Sequence, residues 1–68
     1  MIIDDKRLQA YRYRVEWVES DEQYVATCGK FPGLSWLENT PSEAVDGFCY
    51  MLVDVLDDMA KNGEKVPE

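Results

Sequence analysis

The chain has no histidine, so it lacks both the commonest general base and the commonest metal ligand. It has only two cysteines, Cys28 and Cys49, and two thiols without a histidine make no zinc site. Neither thiol has a base beside it in sequence, so a catalytic cysteine is not expected. Basic residues are scarce. Seven Lys and Arg stand against fourteen Asp and Glu, a net charge of −7 with a pI near 4.3. Binding to nucleic acid is driven by cations that neutralise phosphates, so direct binding of nucleic acid is not expected. No apolar run approaches the roughly 20 residues of a membrane span. Met1-Ile2-Ile3-Asp4-Asp5 lacks the basic start and long apolar stretch of a secretory signal. A cytoplasmic protein without membrane contact, with reduced and buried thiols rather than a disulfide, is the expectation.

At 68 residues there is room for one domain, which buries about 60% of the surface its unfolded chain exposes. Its 46% hydrophobic content, with four Tyr, two Trp and two Phe, is too high for a disordered chain. Residues 1–10 are weakly patterned and read as an N-terminal extension, either mobile or anchored by Ile2, Ile3 and Leu8. From Tyr11 the pattern sharpens. Tyr11, Tyr13, Val15 and Trp17 alternate with Arg12, Arg14 and Glu16, which predicts a strand with an aromatic buried face and a charged outer one. Glu19 to Glu22 form a polar turn cluster, and a second strand is predicted over Gln23 to Cys28, with Tyr24, Ala26 and Cys28 on one face. So short a link makes the pair an antiparallel hairpin. Pro32-Gly33 suits the centre of a type II turn, and Leu34 to Leu37 make a short third strand.

Thr40-Pro41-Ser42-Glu43 is a capping box, with Thr40 as N-cap and Pro41 at the first helical position. Ala44, Val45, Phe48, Cys49, Leu52, Val55, Leu56 and Met59 then recur at spacings of three and four, the apolar stripe of a helix that packs on the sheet. Gly63 ends it. Gly47 in its interior costs roughly 1 kcal/mol against alanine, which close approach of the helix to the sheet would explain. Val66 begins at most a stub of a fourth strand. The fold class is α+β: a three-stranded antiparallel meander packed by one long helix, in the order β-β-β-α(-β).

Residues 1–34 carry five basic and six acidic groups, and residues 35–68 carry two and eight. Opposite the apolar stripe run Glu43, Asp46, Tyr50, Asp54, Asp57 and Asp58, again at helical spacing. The acidity is therefore concentrated on one helix face.

Tyr11-Arg12-Tyr13-Arg14-Val15, Tyr24-Val25-Ala26, Phe31-Pro32-Gly33-Leu34, Asn39-Thr40-Pro41-Ser42-Glu43-Ala44 and the closing Gly63-Glu64-Lys65-Val66-Pro67 together resemble the N-terminal domain of HicB-like antitoxins, over 11–67. The resemblance implies a partial ribonuclease H-like fold with a final strand beside the first. It also implies a protein partner, a small HicA-like toxin that cleaves mRNA and whose active site the antitoxin masks. The stretch Leu37-Glu38-Asn39-Thr40 departs from the Gly-Asp-Thr that usually precedes the helix in the family. The sequence shows no helix-turn-helix or ribbon-helix-helix segment, so repression of an operon does not carry over from the resemblance; the chain is either a stand-alone member or part of a longer protein. The likeness is one of fold and not of enzyme: two-metal hydrolysis needs converging carboxylates, and Glu16 is the one strand acid in the clear pattern.

Two readings of the acidic helix face stand side by side. It is a solvated surface, or it imitates RNA phosphate for a basic toxin, with Glu43, Asp46, Tyr50, Asp54, Asp57 and Asp58 as the partner-binding residues. No cofactor, metal or catalytic residue is expected. The alternative to an antitoxin is an orphan domain of the same fold, acting as an oligomeric scaffold or small-molecule sensor. Arg12 and Arg14 read as cross-strand partners of polar neighbours, and Trp17 and Trp36 as half-buried residues at the rim of the core. An open edge on the first strand, and the small core, point to a homodimer or higher oligomer.

Overall fold

The structure, a computed structural model, describes residues 5–65. A short 3-10 helix, Lys6–Ala10, leads into strands β1 (Tyr13–Val18), β2 (Gln23–Cys28) and β3 (Ser35–Glu38), followed by helix α1 (Pro41–Lys61). The three strands form one antiparallel sheet in the order β1-β2-β3, and α1 packs across one of its faces. The expected final strand at Val66 lies outside the described residues.

Register sorts the side chains. Tyr13 faces Cys28, Val15 faces Ala26 and Trp17 faces Tyr24, while Ala26 faces Trp36 and Tyr24 faces Glu38. Side chains alternate between faces along a strand, so these residues share the helix side. Arg14, Glu16, Val25, Thr27 and Leu37 share the outer one. Ala26 and Cys28 are buried together with Ala44, Phe48, Cys49, Leu52 and Leu56 of the helix. Val45, Val55 and Met59 of the expected stripe are only half-buried. Leu8 and Tyr11 close the core from the N-terminal side, and the Tyr13 hydroxyl donates to the Leu8 carbonyl at 2.6 Å. Tyr11 is thus buried ahead of the strand rather than within it.

The helix ends are built as their residues dictate. Thr40 Oγ1 accepts from the Glu43 amide at 3.2 Å and donates to Glu43 Oε1 at 2.9 Å, so Glu43 closes the cap on the hydroxyl. Caps of this kind contribute about 1 kcal/mol. At the other end Gly63 takes a left-handed φ of 73°. Its amide bonds the Ala60 carbonyl and the Glu64 amide the Met59 carbonyl, the paired bonds of a Schellman ending.

Two local expectations are corrected. Leu34 donates back to the Phe31 carbonyl at 3.0 Å, so Pro32-Gly33 is a turn, but Gly33 lacks the positive φ that type II requires. The left-handed residue of the β1–β2 loop is instead Glu22, at φ 50°. The third strand also starts one residue late, because that turn holds Leu34.

Candidate functional site

Helix α1 starts beside the end of β3 and crosses the sheet diagonally. Gly47 lies against Trp36, and one residue later Phe48 meets Tyr13 edge-on, ring centres 5.9 Å apart. Beyond that point the helix reaches the N-terminal segment, where Asp57 bonds Arg7. The diagonal leaves one corner of the sheet uncovered. Trp17 occupies it, 49% exposed although on the helix side, resting edge-on against Tyr24 at 5.1 Å. Its indole N–H donates to Glu19 at 2.6 Å.

The six sequence-predicted partner-binding residues share the side of α1 turned away from the sheet, and they differ in how free they are. Glu43 is exposed but engaged in the cap. Asp46 is half-buried, and its charge adds to the burial that pushes the Cys49 thiol above its ordinary range. Tyr50 is 41% exposed. Asp54 is exposed, and Asp58 accepts a long 3.4 Å bond from the Asn62 amide group. Asp57 is held: Arg7 Nη2 donates to it at 2.8 Å and to Asp5 at 2.7 Å. Two carboxylates on one guanidinium raise the Arg7 pKa further above its already high value. Arg7 went unread in the sequence because it sits in a segment without periodicity, fifty residues from its partner.

Besides Arg7, Lys61 in the last turn of α1 stands three and four residues after Asp58 and Asp57, on the same side of the helix. Other basic side chains sit on the sheet. Arg12 and Arg14 lie on the outer face of the sheet, at an open groove of about 650 Å³ completed by Thr27, Gly29 and Pro32. Lys30 lines an adjoining hollow that shares Arg12 and Gly29. The expected cross-strand pairing is absent. Arg14 approaches Glu16 of its own strand at 3.5 Å, and Arg12 has no partner among the described residues, because it projects beyond the end of the ladder with β2.

Cys28 and Cys49 are free thiols and both buried. Burial raises Cys49 foremost, and it also raises Tyr13 well above the ordinary phenol value. Among the described residues no three His, Cys, Asp or Glu converge as a metal would need, and no helix is long and apolar enough to cross a membrane. No family model, no curated protein and no solved structure matches the chain.

Proposed function

We propose that this chain acts by binding: it masks the basic RNA-binding surface of a small HicA-type toxin, as its resemblance to HicB-like antitoxins implies, and works in the cytoplasm. The observation that supports this reading is the outward face of α1. Asp54 and Asp58, with Glu43, Asp46 and Asp57 flanking, turn carboxylates away from the sheet around the exposed ring of Tyr50. A surface of one sign accelerates encounter with a surface of the other, and a half-exposed tyrosine among carboxylates has the character of an interface anchor.

The test is to ask whether an adjacent reading frame encodes a short basic protein and, where it does, to co-express the two; a locus without one counts against the antitoxin reading. This chain should co-purify with it and relieve its growth arrest. Asp57 is a poor probe, since reversing it also breaks the tie to Arg7. Asp54→Lys combined with Asp58→Lys should weaken binding about tenfold or more and make it less salt-sensitive. Failure to bind or silence the neighbour rejects the function. Unchanged affinity in the double variant rejects the helix face alone.

A further inference from the structure

β1 has β2 on one side, and among the described residues no strand runs along its other edge. An edge with unpaired N–H and C=O groups recruits another strand unless it is blunted by unmatched charges, proline, a bulge or an inward charge, or covered by another segment. Tyr13-Arg14-Val15-Glu16-Trp17-Val18 contains no proline. Its ladder with β2 runs through six consecutive pairs without a bulge. Both charges point outward, and their side chains are 76% and 59% exposed, touching each other only loosely.

We infer that β1 pairs with β1 of a second copy of this chain, antiparallel about a two-fold axis at Val15, to give a continuous six-stranded sheet. In this register Arg14 of each copy faces Glu16 of the other, twice over on the outer face. On the helix face Tyr13 of each copy faces Trp17 of the other, which covers the indole that the diagonal of α1 leaves bare. Neighbouring registers are less favourable. A slip by one residue sets the outer face of one strand against the inner face of the other. Moving the axis to Arg14 or to Glu16 sets like charges directly opposite each other, which is destabilising. The sequence of β1 is therefore complementary to itself in one register, and the occupant that fits a self-complementary edge is the same chain. The inference uses the sheet edge and not the outer face of α1, and it requires that the final strand which the resemblance implies beside β1 leaves that edge open.

The test uses two charge reversals, Arg14→Glu and Glu16→Arg, and sedimentation equilibrium. The unaltered chain should sediment at twice its 7.9 kDa. Each variant alone should self-associate about tenfold or more weakly, because each brings two like-charged pairs together. An equimolar mixture of the two should restore the dimer, since every Glu then meets an Arg across the axis. Circular dichroism of each variant before mixing confirms that its fold is intact. A monomer at about 100 µM, where mass action favours association, overturns the inference. A dimer indifferent to both reversals, or one lost in the variants and not regained on mixing, overturns it equally.

Discussion

The indole of Trp36 occupies the space into which any side chain at Gly47 would project. Trp36 is held there by its own strand, where its N–H donates to Glu38 at 2.8 Å, and the helix comes down on the ring at the one position without a Cβ. The contact joins β3 to α1 across the loop that also carries the helix cap. It explains a glycine in the interior of a helix, where glycine is otherwise unfavourable.

Gly47→Ala sets two effects against each other. Helix propensity favours alanine by about 1 kcal/mol, while a methyl group there must displace the Trp36 indole, which is 37% exposed but tied to Glu38, at a cost of about 1–3 kcal/mol. Overpacking is the larger, so the variant should unfold at lower urea concentration than the parent. In a Trp36→Ala background the clash is gone, and the same substitution should raise the urea midpoint. The double-mutant cycle is the measurement. A Gly47→Ala effect of the same sign in both backgrounds would show that the ring does not demand the glycine.

The N-terminal segment makes an acid-side prediction. Hydrogen bonds from the Arg7 side chain and amide lower the Asp5 pKa below its ordinary 3.8. A carboxylate depressed in the folded state contributes stability that is fully present above its unfolded value. That contribution fades as pH falls through the lower folded value. Carboxyl NMR titration should find Asp5 below 3.8 and returning toward it in Arg7→Gln. The pair is exposed, so the accompanying change in stability should be small. An Asp5 titration that ignores the Arg7 substitution would disprove the contact in solution.

The thiol and phenol on the core side predict the opposite limb. Burial is the first cause of both shifts, and it raises Cys49 above 9.0 and Tyr13 above 10.0. A group whose acid form is favoured by folding contributes stability that is intact below the unfolded pKa. That stability is lost as pH rises, because the unfolded chain ionises first. The melting temperature should therefore fall from about pH 9 upward, and Cys49→Ala should flatten the fall. Thiol reagents should react slowly with the native protein and rapidly in denaturant. Rapid labelling of both cysteines in the folded chain would contradict their burial.

Much of the fold was legible because its signals are local. β2 runs over the predicted Gln23 to Cys28, since period-2 patterning and a short polar loop leave little choice of register. The helix begins at Pro41 behind Thr40 and stops before Gly63, since caps are decided by residues three or four positions apart. The acid face of α1 was legible for the same reason: helical spacing alone sets which side chains lie opposite the apolar stripe. What escaped the sequence depends on direction and distance. Trp17 follows the buried alternation of β1 and still ends half-exposed, because the helix crosses from β3 toward the far end of β1. Asp57 stands on the expected face, yet Arg7 claims it from across the molecule.

The sequence by itself determined the class of the protein: no histidine, few cations, one capped amphipathic helix and three short strands, hence a small acidic α+β domain. Tertiary structure decided which of its surfaces are available. The angle of α1 over the sheet, set where Trp36 meets Gly47, covers Tyr13 and uncovers Trp17. The fold of the N-terminal segment spends Arg7 on Asp5 and Asp57 and leaves Asp54 and Asp58 facing outward. Periodicity specifies which residues share a face, but only the packing of one element on another specifies which of them meet water.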